Sequence, residues 1–216
     1  MPYAAADRID FIKRSGIAPG THILDFGGVL CEELPSAIPC ITARKQISNA
    51  IIIKPALFPF KDSVFDAVVS YHYFDLVPGG LIGYVFREIS RVLKKGLYFS
   101  FIVQLWAPQN EQQRSSLFLN EILRSTGAIY SHEFTDISRE LSESGFSDIT
   151  VETIKRNIVI PQDFVKAHLI LIGSLVKKEQ EEGTAGIKAP AKQYIEQVRE
   201  YGESMLPALH FSAKKI

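Results

Sequence analysis

His22-Ile23-Leu24-Asp25-Phe26-Gly27-Gly28 decides how the rest of this chain is read. Pro19-Gly20 introduces the run and the paired glycines cut it off, so it is short, mostly apolar and bounded by turn residues. A run without polar alternation suits a strand buried on both faces of a parallel sheet. Glycines directly after it allow backbone conformations closed to other residues, and they let a ligand come close to the main chain.

Outward from this run, 7–15 carries Ile9, Phe11 and Ile12 in an amphipathic helical pattern that Gly16 closes. Short β-rich runs recur at 40–43, 50–53 and 65–70. A helix is predicted over 81–93, where Ile82, Val85, Phe86, Ile89 and Val92 share one face and Lys94-Lys95-Gly96 marks the end. Beyond it the pattern predicts a strand at 97–105, helices at 115–125 and 135–144, and a long strand at 148–159. A helix at 161–177 with His168 on its apolar face, a solvated loop at 179–189, a helix at 191–201 and a strand at 208–213 complete the chain. Helices alternating with single buried strands mean right-handed crossovers onto one mostly parallel sheet, a doubly wound α/β fold. Ligands of such sheets sit at the carboxyl ends of the strands beside the switch point, which directs attention to Gly27-Gly28.

The 216 residues suit one domain, taken as 1–216 with a helical insertion at about 161–206 before the last strand. With 46% hydrophobic and 22% charged residues, disorder and a disulfide-stapled mini-fold are excluded. Lys plus Arg (24) balances Asp plus Glu (24), which leaves no overall field for gripping nucleic acid or an anionic membrane, so the expected partner is a small molecule. Cys31 and Cys40 offer neither a disulfide framework nor a zinc-ligand spacing, and no metal is expected. No 18-residue apolar run occurs, and 1–8 lacks a basic-then-apolar leader, so the expected location is the cytoplasm.

Three stretches carry the chemistry together. The first is Ile23-Leu24-Asp25-Phe26-Gly27-Gly28, a strand ending in an acid and two glycines. The second is Ala56-Leu57-Phe58-Pro59-Phe60-Lys61-Asp62-Ser63-Val64-Phe65-Asp66-Ala67-Val68, and the third Arg87-Glu88-Ile89-Ser90-Arg91-Val92-Leu93-Lys94-Lys95-Gly96. In matching order over about 7–156, the chain resembles the class I S-adenosylmethionine-dependent methyltransferases, in particular their type 11 small-molecule group. That family reads Leu-Asp-x-Gly-x-Gly-x-Gly, then Leu-Pro-Phe-x-Asp-x-Ser-Phe-Asp-x-Val, then Arg-Glu-x-x-Arg-Val-Leu-Lys-Pro-Gly-Gly. Leu141-Ser142-Glu143-Ser144-Gly145-Phe146 resembles its later Leu-x-x-Ala-Gly-Phe.

The resemblance implies a Rossmann-like, mostly parallel seven-stranded sheet with an antiparallel C-terminal strand. It implies S-adenosylmethionine as cofactor, held by Asp25, Gly27, Gly28, Arg44, Lys54, Leu57, Ser70 and Tyr71. His72 becomes the candidate general base, its ordinary pKa of about 6.5 suiting proton transfer near neutrality. Tyr73 and Trp106 become candidate walls of an acceptor pocket. The chain departs from the family at the cofactor, because the glycine triad shrinks to Gly27-Gly28. Ala43 or Arg44 stands where the ribose acid is expected, and Lys54 where the adenine-facing acid is expected. A lost charge-assisted hydrogen bond is worth about 1.5–3 kcal/mol. The 41 positions from Asp25 to Asp66 are too few for two full helices and two strands with their loops, so the helices after the first two strands are expected to be truncated. The expected function is methyl transfer from S-adenosylmethionine to a small-molecule acceptor. The alternative is a non-catalytic binding or partner protein, with Arg44, Lys45 and Lys54 holding an anionic ligand.

Overall fold

A computed structural model describes residues 2–30, 32–42, 51–54, 57–182 and 186–216. The apolar runs form the strands β1 (Ile23–Phe26), β2 (Ile38–Thr42), β3 (Ile51–Ile53), β4 (Phe65–Tyr71), β5 (Leu93–Gln104), β6 (Phe146–Ile154) and β7 (Ala208–Lys215). They make one seven-stranded sheet in the order β3-β2-β1-β4-β5-β7-β6. β1 lies between β2 and β4, parallel to both, with Asp25 opposite Pro39 on one side and Val69 on the other. β3 and β5 extend the parallel set. β7 runs against β5, since Lys215 Nζ reaches the Leu93 carbonyl (2.6 Å) while His210 meets Ser100 (2.7 Å). It also runs against β6, because Ile216 N bonds Gly145 O (3.1 Å) and Thr150 Oγ1 donates to Ser212 O (3.4 Å). The sheet is therefore mixed, with an antiparallel last strand, as the resemblance implies.

The helices are α1 (Ala5–Arg14), α2 (Gly79–Val92), α3 (Glu111–Ser125), α4 (Phe134–Glu143), α5 (Gln162–Glu182) and α6 (Lys188–Tyr201). Strand alternation sorts the side chains. Leu24, Phe26, Val68, Phe99, Phe101 and Phe211 form the main core with Ile82, Val85, Phe86 and Ile89 of α2 and Ile137 and Leu141 of α4. On the opposite face Phe11 of α1 meets Tyr71 and His210, with ring centroids 5.8 and 5.6 Å apart.

Between β1 and β2 the described residues hold no helix, as the length arithmetic requires. The matching expectation after β2 falls on 43–50, outside the described residues. Other boundaries are corrected. Lys94-Lys95-Gly96 does not end a helix. α2 stops at Val92, Leu93 is already extended (φ −77°, ψ 139°), and the pair Phe65/Leu93 starts the β4–β5 ladder. The ladder then shifts register before Ala67/Tyr98, with Gly96 at φ +78° absorbing the bulge. β6 ends at Ile154 rather than 159, and α3 begins four residues early because Asn110 caps it, accepting from Gln113 N at 2.9 Å. Of the expected loop at 179–189, residues 179–182 extend α5 and 188–189 open α6. Glu179, at the end of α5, accepts the Ile187 and Lys188 amides (2.6 and 3.2 Å) at the start of α6, where a carboxylate complements the helix dipole.

Two compact units divide the chain: Ala4–Val103 with His132–Thr153 and Leu209–Ile216, and a second built on Gln104–Ser131 and Ile154–Ala208. In the second, Glu203 is buried and accepts hydrogen bonds from Ser116 (3.0 Å) and Tyr194 (3.0 Å), with His168 Nδ1 at 3.0 Å. His168 is thus tied to a carboxylate within its own unit. Among the described residues no helix is long and apolar enough to cross a membrane.

Candidate functional site

The carboxyl ends of β1 and β4 bring together most of the residues singled out from the sequence, but on two faces of the sheet. Asp25 and Tyr71 face α1, whereas Ser70 shares the core face with Phe26 and Val68, as parallel register requires. Asp25 is 1% exposed. Its Oδ2 accepts the Leu30 amide at 2.8 Å, and its Oδ1 is buried without a hydrogen-bond partner. Burial pushes its pKa up to about 7 against the amides of Leu30 and Gly28, which favour the carboxylate, and the nearby Glu33 charge adds to the rise. The Ser70 hydroxyl is likewise buried and unpartnered.

With no helix among the described residues between β1 and β2, side chains hold down 28–30 and 32–37. Arg8 of α1 donates through Nε to Glu33 Oε1 at 2.7 Å, and Leu30 is fully buried. Tyr71 donates its hydroxyl to Asp7 Oδ2 (2.5 Å), a second tie from the strand ends to α1. These partners lie 25 and 64 residues apart in sequence, and no local signal announces them.

Gly27 (φ +121°) and Gly28 (φ +61°) adopt conformations that favour glycine. A Cβ on Gly27 would stand 2.7 Å from the Tyr73 Cβ and 2.8 Å from its Cγ. The close approach that glycine permits is thus used by Tyr73, whose ring also meets Phe26 edge-on at 5.0 Å. His72, immediately before, is left-handed (φ +57°), a strained conformation for a non-glycine residue, and its amide bonds the Ile102 carbonyl at 3.0 Å. Its Nδ1 lies 2.7 Å from Asp75 Oδ2, both side chains being nearly buried. Asp75 appears in the sequence only as an acid three residues after the histidine, and the 3-10 turn Phe74–Leu76 is what brings it back.

Lys54 is exposed and Leu57 is 65% exposed, joined by an isolated bridge after β3. Arg44 lies outside the described residues. Trp106 belongs to the second unit, with the Arg124 guanidinium 5.3 Å from its ring centroid and a buried indole N–H without a partner. A cavity of about 290 Å³ opens elsewhere, between 15–18 and the first halves of β4 and β5. It lies away from the strand ends that ligands of this architecture use.

The second and third motifs meet in one clamp. Arg91 donates from Nε and one terminal nitrogen to Glu88 (2.9 and 2.8 Å), to the Phe58 and Phe60 carbonyls (2.9 and 2.7 Å), and to Asp62 (2.8 Å). Every N–H of its fork is used. Glu88 returns a bond by accepting the Phe58 amide at 2.7 Å. Asp66 joins the His22 amide (2.9 Å) to Lys94 (2.6 Å), tying the starts of β1, β4 and β5.

Residues 35–101 match the family described as methyltransferase domain. No curated protein matches the chain. Among solved structures it is similar to the YcgJ protein of Bacillus subtilis, at 16% identity, covering 97% of this chain and 98% of that one with a TM-score of 0.62. The geranyl diphosphate C-methyltransferase of Streptomyces coelicolor A3(2), in complex with S-adenosyl-L-homocysteine, is 14% identical, with 98% and 79% covered and a TM-score of 0.61. A phosphoethanolamine N-methyltransferase of Haemonchus contortus in complex with S-adenosyl-L-methionine is 16% identical, with a TM-score of 0.55; 98% of this chain covers 52% of that one. The resemblance read from the motifs is borne out: residues 35–101 match the methyltransferase-domain family model, and the chain has the fold of solved methyltransferases.

Proposed function

We propose that the chain transfers a methyl group from S-adenosylmethionine to a small-molecule acceptor. The observation that carries this reading is the end of β1. There a buried carboxylate with an unpartnered oxygen stands beside two positive-φ glycines at the switch between β1 and β4. These residues suit a cationic ligand that must approach the main chain closely. Asp25 Oδ1 would accept from its ammonium group, and the Gly27 and Gly28 backbone would form its bed. When bound, the cofactor supplies an electrophilic methyl group on sulfur.

The protein's own contribution is orientation and proton handling. Asp75 holds Nδ1 of His72, so Nε2 is the atom that takes a proton from the acceptor hydroxyl or amine. The left-handed turn at His72 fixes where that nitrogen stands.

Calorimetry with S-adenosylmethionine and S-adenosylhomocysteine tests the reading. Binding is expected for both, weakened by about tenfold or more in Asp25→Ala through the lost charge-assisted bond. No heat at millimolar ligand would retire it.

A further inference from the structure

We propose that Tyr73 is an intramolecular competitor for the ligand at Gly27 and sets how tightly this chain binds S-adenosylmethionine. The inference rests on the reading of the β1 glycine turn as the cofactor bed. A glycine at φ +121° leaves open the space that a Cβ would fill, and here the first atoms of the Tyr73 side chain stand in it. A ligand lying against the Gly27 backbone and the tyrosine in its present place are therefore mutually exclusive.

The competitor is placed, not merely nearby. The left-handed His72 turns the chain back over β1, and Asp75 holds that turn through His72 Nδ1. His132 Nε2 donates to the Phe74 carbonyl at 2.9 Å, fixing the following residue as well. Tyr73 itself is 7% exposed and rests edge-on against Phe26. All of these groups belong to one compact unit.

Apparent affinity falls by the fraction of molecules whose site is open, so a docked aromatic ring that keeps the site open only 1–10% of the time weakens binding about 10- to 100-fold. Removing the whole side chain, Cβ included, removes that factor. Tyr73→Gly is expected to bind S-adenosylhomocysteine about 10- to 100-fold more tightly than wild type, while Tyr73→Phe, which keeps Cβ and the ring, stays within about twofold. A second measurement uses the wild-type protein and does not depend on how the glycine variant folds. With 13C-labelled tyrosine, the Tyr73 ring resonance, assigned by its loss in Tyr73→Phe, should leave its Phe26-shielded position as S-adenosylhomocysteine saturates. Equal affinity in wild type and Tyr73→Gly, or saturation with that resonance unmoved, overturns the competitor and leaves the cofactor reading intact. If neither wild type nor Tyr73→Gly binds at millimolar concentration, the cofactor reading falls and the competitor with it.

Discussion

The Arg91 clamp and the Gly27 turn lie in the same unit and both fall in stretches that resemble methyltransferase motifs, yet they are finished to different degrees. At the clamp every guanidinium N–H has an acceptor, and Glu88 accepts in return. At the turn Asp25 and Ser70 each keep a buried oxygen without a partner, and a tyrosine fills the space above Gly27. The difference separates two regions of one unit. Phe58, Asp62, Asp66, Glu88, Arg91 and Lys94 hold the approach to β4 and the helix behind it. The end of β1 is where the sequence departs from the family motif it resembles, with Gly27-Gly28 in place of a glycine triad. Orphaned buried polar atoms cost stability, so the unpartnered oxygens of Asp25 and Ser70 set the strand ends apart from the fully paired clamp.

The comparison breaks most sharply at Gly27. Gly27→Ala adds a Cβ 2.7 Å from that of Tyr73 and must also hold φ +121°. Overpacking and backbone strain together should cost about 3–5 kcal/mol in denaturant unfolding. Combining it with Tyr73→Gly, which removes the Cβ that the new methyl would meet, should recover the steric share and leave the backbone share. Strict additivity of the two substitutions would show that Tyr73 does not stand on the glycine.

Acidity distinguishes the two regions next. Arg91 holds the Glu88 carboxyl below its ordinary value, so that ion pair contributes stability above about pH 4.5 and loses it on acidification. Asp25 behaves in the opposite sense. Its folded pKa of about 7 exceeds the ordinary 3.8, so its contribution is full below about pH 4 and is lost as pH rises through 7. Three units correspond to at most about 4 kcal/mol. Asp25→Asn cannot ionise, so its stability should gain on wild type between pH 5 and pH 8, read from denaturant midpoints. A difference constant with pH would mean that Asp25 titrates as an ordinary exposed acid.

What could be read from the chain alone follows the range of each contact. The existence and order of the strand runs, the α2 stripe of Ile82, Val85, Phe86, Ile89 and Val92, and the order of the motifs are local patterns, and each appears in its expected place in the chain, with the ends of β5 and β6 shifted. The boundary at Leu93 is not local, because its extended conformation answers to pairing with Phe65, and the helical ending of α5 answers to Glu179 capping another helix. At the site, Asp25 and the glycines are legible because an acid and two glycines follow a strand. The Arg8–Glu33 and Asp7–Tyr71 ties join residues far apart in sequence and carry no periodic signature. Tyr73 was legible as an aromatic beyond β4, a candidate wall for an acceptor. Its position on Gly27 depends on a left-handed histidine, a conformation no propensity foretells.

The smallest expected effect returns to the clamp and asks whether charge or shape does its work. Arg91→Lys keeps the cation and can still reach Glu88 or Asp62, but an ammonium cannot serve two carbonyls and two carboxylates from one plane. The Phe58 and Phe60 carbonyls would turn to water, since this side chain is about one-third exposed (29%). A loss of about 1–2 kcal/mol is expected, a fall in Tm of about 3–6 °C for a chain of this length. Affinity for S-adenosylhomocysteine per folded molecule should stay at the wild-type value, because the clamp holds the approach to β4 and touches neither Asp25 nor Gly27. A variant that kept its Tm but lost ligand affinity would reverse the division of labour between the two regions, making the clamp part of the site and the glycine turn part of the scaffold.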